Sequence, residues 1–377
     1  MTRSGFEPMH FLPSPVRAVA AFAVVLGVLV FIHELGHYLA ARWRGVHVEA
    51  FSIGFGPRLF GWVDRVGTEW KLSLLPLGGY VKLHGAQRPE DVGEEDRAAY
   101  QMGRTLFEKS VASRAIVVAA GPAANFVLAV VLFAGLFGFV GRPVAQSVVS
   151  TLVAGGAAEV AGLHVGDRIE AVGGKPTPHF EDLQAVVSAS PGQRLDVSVV
   201  RDGVAQVVPV VVGSRGAAGH EVGVLGIGSS AAEFQRVGPG EAVLDGFGQT
   251  WKVMRQTVAG YGQIFSGQVS TRELSGPLGI AQMSGQVAEL GLASLVSFIA
   301  LLSVNLGLIN LFPIPVLDGG YLLFYAAEAI RGRPIPVRAL EYGFRAGFAL
   351  IACLFVVVTW NDLSHLGLMR WVASLFG

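Results

Sequence analysis

Four long apolar runs limit what this chain can fold into. They extend from about Val16 to Ala41, Ala115 to Val140, Leu292 to Leu311 and Gly343 to Trp360. A bilayer crossing needs about 20 mainly apolar residues. In lipid the backbone must satisfy its own hydrogen bonds, so each run is expected to be a helix. The chain is 52% hydrophobic and only 15% charged, which sets it apart from an ordinary soluble protein. Its formal net charge of +0 gives no bulk attraction to nucleic acid, and no nucleic-acid partner is expected. The single cysteine, Cys353, excludes an intrachain disulfide framework and a multi-cysteine metal site. The first run is too long for a cleaved signal peptide and has no clean small-x-small cleavage site.

Lysine and arginine set the expected orientation. Arg42, Arg44, Lys109 and Arg114 flank the connection between spans one and two. Arg331, Arg333, Arg338 and Arg345 fill that between spans three and four. The positive-inside rule places both connections in the cytoplasm. Both termini and the long segment 141–290 are then expected on the opposite side. The fourth run is short, and Arg345 is expected to snorkel.

The first run contains "FIHELGHYLA", residues 31–40. Ionisable groups inside a span are costly and are functional by default. His33 and His37 stand four apart, so a helix puts them on one face. Two imidazoles so spaced can grip one zinc ion, and Glu34 between them can take a proton from an attacking water. The bland alternative is a cluster of hydrogen-bonded polar groups between helices. A hydrolytic zinc site needs a third protein ligand and an open position. A soluble-type zincin would draw that ligand from Glu49, Asp64 or Glu69. The rival is Asp318, in "NLFPIPVLDGG" after span three. Spans one and three both run inward, so Asp318 arrives at the membrane level of the histidines. The following Gly-Gly also allows Asp318 to be a simple helix cap.

Three motifs carry a family resemblance: HELGH in span one, GPAAN (Gly121–Asn125) in span two, and NLFPIPVLDGG (Asn310–Gly320) after span three. Together they resemble the site-2 protease family of intramembrane zinc metalloproteases, most of all its RseP-type bacterial branch. The resemblance implies Zn2+ as cofactor, His33, His37 and Asp318 as its ligands, and Glu34 as catalytic base. It further implies a multi-pass protein of the bacterial inner membrane, with the active site near the cytoplasmic side. The implied partners are the lipid bilayer and a single-span membrane protein, either an anti-sigma factor already clipped outside or a remnant signal peptide. Asn125, Asn305 and Asn310 are amides in or beside spans. Each is a candidate for binding substrate backbone, although linking helices is the commoner use. The family implies substrate handling for Asn310 and its neighbours. His47 and His84 fall outside the motif and read as packing or surface residues.

The expected architecture is a polytopic α-helical membrane protein with about four transmembrane helices. A membrane-associated β-hairpin sheet and a periplasmic α+β PDZ-like domain are expected to complete it. Residues 1–43 are expected to form the first helix, and 44–114 a cytoplasmic or membrane-associated β region that resembles the family's sheet carrying a re-entrant loop. The second helix follows over 115–141. Residues 142–230 form the PDZ domain, 231–290 linker and amphipathic helices, and 291–377 the last two spans. In the β region "VHVEAFSIGFGPRLFGW" and "TEWKLSLLPLGGYVKLHG" read as strands broken by Gly and Pro. An edge strand there could pair with an unwound substrate. Gly162-Leu163 followed by Gly166-Asp167-Arg168-Ile169 resembles the turn-and-strand signature of a PDZ domain, with a helix over Phe180–Ser188. There is room for one such domain, whereas many relatives carry two. Phe247–Gly267 has apolar residues at helical spacing, expected on the outer membrane surface or packed as a periplasmic helix. A non-catalytic membrane PDZ scaffold or metal-binding protein is the contrasting function, and the intact Glu34 argues against it.

Overall fold

The computed structural model describes residues 14–85, 102–215, 221–229, 232–267 and 276–365. Both chain ends and residues 86–101 of the expected β region lie outside that range. The chain divides into two compact units, one from residues 1–136 with 240–377, the other from 137–239.

In the first unit, all four apolar runs become helices long enough to cross a membrane. They are α1 (Ser14–Trp43), α2 (Val111–Phe139), α7 (Leu292–Asn310) and α9 (Val337–His365). Helix α9 extends past the apolar run Gly343–Trp360 at both ends and takes in Arg338. Arginine is a good helix former, so helicity does not stop where hydropathy does. Val25 and Leu29 of α1 bury against Leu295, Phe298 and Ile299 of α7, joined by Leu128 and Leu132 of α2. Close approach of α1 and α2 depends on Gly36, where a Cβ would overlap the Ala120 carbonyl. Pro122 sits within α2.

Strands β1 (Val48–Val63) and β2 (Glu69–Leu83) pair antiparallel. The pairing is more folded than a plain hairpin. Phe51 faces both Val81 and Trp70, and Ser52 faces both Tyr80 and Lys71. The stretch Ala50–Ile53 is therefore interior, flanked by β2 on both sides, and among the described residues Gly79–Leu83 forms an outer edge. Gly54 and Gly56, at φ +88° and +86°, bend β1 where this fold-back begins. Phe51 stacks on Trp70 at 4.4 Å, while Leu59, Phe60 and Trp62 project outward. So large an apolar surface suits contact with lipid.

The second unit contains α3 (Ala157–Val160), α4 (Phe180–Ser188) and a four-stranded sheet. The sheet order is β6 (Lys175–Pro176), β5 (Arg168–Val172), β7 (Arg194–Arg201), β8 (Val204–Val211). Short strands β3 (Arg142–Ala145), β4 (Thr151–Leu152), β9 (Gly213–Arg215), β10 (Val222–Val224), β11 (Ile227–Gly228) and β12 (Ala232–Gln235) pair around it. Leu163, Ile169, Leu183, Val187, Val197 and Val199 are in its separate core. Asp167 is fully buried and accepts two 2.7 Å hydrogen bonds from Arg201 and one from the His164 amide. That pairing holds its carboxyl below the usual aspartate range.

Helix α5 (Pro239–Phe265) leads back to the first unit, and α6 (Pro277–Glu289) follows. Helix α6 packs on the start of α1 through Gly285 and Ala18, with an Arg17–Glu289 ion pair. Asp362 of α9 accepts hydrogen bonds from the Gly276 and Gly279 amides at the N-terminus of α6. Helix α8 (Asp318–Arg331) begins at the predicted third ligand.

Candidate metal centre

His33 and His37 face α2 from one side of α1. Their Nε2 atoms are 3.2 Å apart, and Asp318 Oδ2 lies 3.2 Å from one and 3.5 Å from the other. Donors about 2.0–2.1 Å from a tetrahedral zinc ion stand about 3.4 Å apart, so the triangle has the size zinc requires. Among the described residues these three form the one His, Cys, Asp and Glu group suited to holding a metal ion. Asp318 Oδ2 is buried and has no hydrogen-bond donor. A carboxylate oxygen left so between two imidazoles fits a cation.

The surroundings orient both rings. His37 Nδ1 is 2.9 Å from the Val117 carbonyl, so it carries the proton and leaves the Nε2 lone pair free. His33 Nδ1 lies 3.1 Å from the Asn125 amide. Asn125 is fully buried, and its Oδ1 lacks a partner. With His33 Nε2 committed to a metal, Nδ1 must donate. A half-turn of the amide presents Oδ1 to that proton. Ser303 holds the Asn125 backbone carbonyl at 2.7 Å. Gly121 makes room for both imidazoles, since a Cβ there would overlap His37 Nε2.

Asp318 is delivered by a packed turn. Pro313 and Pro315 prevent α7 from continuing. Val316 adopts φ +98°, a strained conformation for a β-branched residue. A Cβ on Gly319 would meet the Leu311 and Phe312 carbonyls, and one on Gly320 the Ile314 carbonyl. These two glycines let the first turn of α8 sit directly on the turn that precedes it. Arg114 of α2 then clamps Glu328 of α8 through bonds of 2.6 and 3.1 Å, with Tyr325 beneath its guanidinium.

Glu34 follows His33 and interacts electrostatically with His33, His37 and Asp318. Its carboxylate meets the backbone N–H of Val81, on the outer edge of β2. The other carboxylates weighed from sequence are occupied elsewhere. Glu49 binds Lys82 and His84. Asp64 accepts from Val66, Thr68 and Trp70 in the hairpin turn, and Glu69 pairs with Arg58 and Lys71. The three asparagines separate. Asn125 reaches His33, Asn305 accepts a 3.0 Å bond from Thr257, and Asn310 ends α7. Sequence reasoning missed the Val117 carbonyl, Gly121 and the Arg114–Glu328 clamp.

A membrane-helix bundle with this donor set defines a membrane-embedded metallopeptidase. Residues 21–354 match "Peptidase family M50", and the chain belongs to that family. It is 45% identical to the Rhizobium meliloti protein named "Putative zinc metalloprotease R01501", over 92% of this chain and 96% of that one. It is 31% identical to the Escherichia coli protein "Regulator of sigma-E protease RseP", over 92% and 98% of the two chains. The Salmonella typhimurium RseP is 32% identical over the same shares. The chain is a zinc metalloprotease of the site-2 protease family, built as a multi-pass bacterial membrane protein.

Proposed function

We propose that the chain hydrolyses a peptide bond in a single-span membrane protein, with zinc held by His33, His37 and Asp318. The observation that carries this is the triangle of donor atoms beside Glu34 inside a bundle of membrane-length helices. Zinc held in that triangle would supply Lewis acidity, polarising the scissile carbonyl and lowering the pKa of the attacking water towards about 7. Glu34 accepts the water proton and passes it to the leaving nitrogen. Val117 and Asn125 keep both imidazoles in the required tautomer.

A helical substrate must first unwind, and its freed backbone then needs partners. The edge Gly79–Leu83 offers them, because among the described residues it pairs with β1 on one side only, and Gly79 adjoins Glu34. A substrate strand added there would run past the metal centre. Asn310, at the end of α7, remains a candidate substrate contact. The insert of residues 137–239, read as one PDZ-like domain outside the cytoplasm, would screen the substrate's outer stump. The centre is then near the cytoplasmic side of an inner membrane. The sigma-E regulators among the relatives favour a clipped anti-sigma factor as substrate, and remnant signal peptides are the second class.

Cysteine-scanned single-span substrates, captured by a cysteine at Tyr80 in an inactive E34Q, C353S protein, test this directly. Strand addition predicts cross-linking that alternates with period two along the substrate. A helical period would mean that the substrate docks without unwinding. Trimmed substrates should be cut in preference to those keeping a folded outer domain.

A further inference from the structure

Hydrolysis of an amide passes through a tetrahedral oxyanion, and a positioned hydrogen-bond donor at that oxygen stabilises it. Glu34 accepts a proton in the first step and cannot serve. The uncharged donors already placed at the metal centre are committed. His33 and His37 turn their Nε2 atoms towards each other and Asp318, and their Nδ1 atoms towards Asn125 and the Val117 carbonyl. Asn125 is taken by His33. The guanidinium of Arg114 is held by Glu328. Tyr321 differs from all of these. Among the described residues its hydroxyl makes no hydrogen bond, and the residue is 39% exposed.

Helix α8 sets its position. Tyr321 comes three residues after Asp318, so their Cβ atoms are about 5–6 Å apart. On the helical wheel it lies about 60° from Asp318, with Phe324 about 60° further round. Long side chains on a helix lean back over the preceding turn, which for Tyr321 is the turn that carries Asp318. The far side of the ring is braced. Tyr321 packs on Phe344 of α9 at 5.2 Å between ring centres, and Phe344 meets Phe324 edge-on at 5.9 Å. Helix α9 in turn lies hard against the turn that delivers Asp318. A Cβ on Gly343 would press on Phe324, and one on Gly347 would overlap the Pro315 carbonyl. Burial first, and the Asp318 charge second, hold the Tyr321 hydroxyl above the usual tyrosine range. It therefore keeps its proton at neutral pH and is a donor.

We propose that Tyr321 is a further catalytic residue, its phenol donating a hydrogen bond to the oxyanion that develops on the scissile carbonyl. Glu34 then handles the proton of the attacking water, while Tyr321 meets the charge that builds on the carbonyl oxygen. Phe344 holds the ring in place beforehand, so little reorganisation is left for the moment of reaction. The assignment rests on the protease reading above.

The test compares full-length wild type with Tyr321→Phe, which keeps the ring and removes only the hydroxyl. The measurements are kcat and KM for a single-span peptide substrate, and affinity for a phosphinic peptide that mimics the tetrahedral oxyanion. Affinity for the uncut substrate is read in the Glu34→Gln background, and bound zinc and thermal midpoint are read alongside. Tyr321→Phe should lose about 100-fold in kcat. It should lose a similar factor in affinity for the phosphinic peptide. KM, affinity for the uncut substrate, bound zinc and thermal midpoint should stay as in wild type. A wild-type kcat in Tyr321→Phe would overturn the assignment and leave Asn310 as the donor to test. A loss confined to KM would also overturn it, because the contact would then be equal in ground and transition states. Lost zinc or a lowered midpoint would make the residue structural and overturn it as well. Wild type that neither cuts the substrate nor binds the phosphinic peptide would sink the protease reading, and this assignment with it. That result is distinct from a wild type that does both while Tyr321→Phe matches it.

Discussion

At the residue scale, Gly121 and Asn125 make demands that the proposed zinc ligands alone do not reveal. Gly121→Ala puts a methyl group where His37 Nε2 lies, so the variant should lose both zinc and cleavage. Asn125→Ala removes the partner of His33 and should weaken zinc binding by about 10–100-fold, measured by competition with a chelator. A normal zinc affinity in Asn125→Ala would show that His33 needs no such support. His33, Glu34 and His37 were legible in the sequence because a four-residue spacing becomes one helix face. Asp318 was legible because span direction sets depth. Asn125 stood out as a buried amide, but its partner is 92 positions away and no local pattern names it. The Val117 carbonyl is backbone and leaves no mark on the sequence. A glycine such as Gly121 signals only a missing side chain, which many tight helix contacts also require.

At the element scale, α8 carries Asp318 at its first turn and is clamped further along by Arg114. The side chains of Arg114 and Glu328 are only 10% and 12% exposed. Removing one partner of such a pair leaves a buried charge, typically at a cost of about 3–5 kcal/mol. Glu328→Ala should therefore lower the thermal midpoint of the purified protein and loosen zinc, whereas substitution of exposed Arg333 should do neither. Gly320→Ala should displace α8 and lose zinc without touching a ligand. The four spans were legible as elements because lipid leaves a long apolar run no other solution. The β region was legible as strands, but not as a sheet folded back upon itself. Gly54 and Gly56 look like any turn glycines, and only pairing on both sides of Ala50–Ile53 reveals the fold-back. Helix α5 was legible as amphipathic. Its contacts were not, because Thr257 and Tyr261 meet residues about 50 positions later.

At the scale of the whole molecule, the two units should respond differently to acid. Arg201 lowers the folded pKa of Asp167, so the pair stabilises residues 137–239 fully above the ordinary aspartate value of about 3.9. That stability is lost as pH falls through the lowered value. In thermal melts of the isolated unit, the gap between wild type and Arg201→Met should be constant above about pH 4 and close below it. The central claim concerns the first unit, where two distant helices, α1 and α8, bring three donor atoms together beside Glu34. The most direct test is to measure bound zinc and cleavage of a reconstituted single-span substrate together, for wild type, Glu34→Gln and Asp318→Asn. The account predicts that Glu34→Gln keeps zinc and loses cleavage, while Asp318→Asn loses cleavage and binds zinc weakly or not at all. Undiminished cleavage by Glu34→Gln, or unchanged zinc binding by Asp318→Asn, would contradict it.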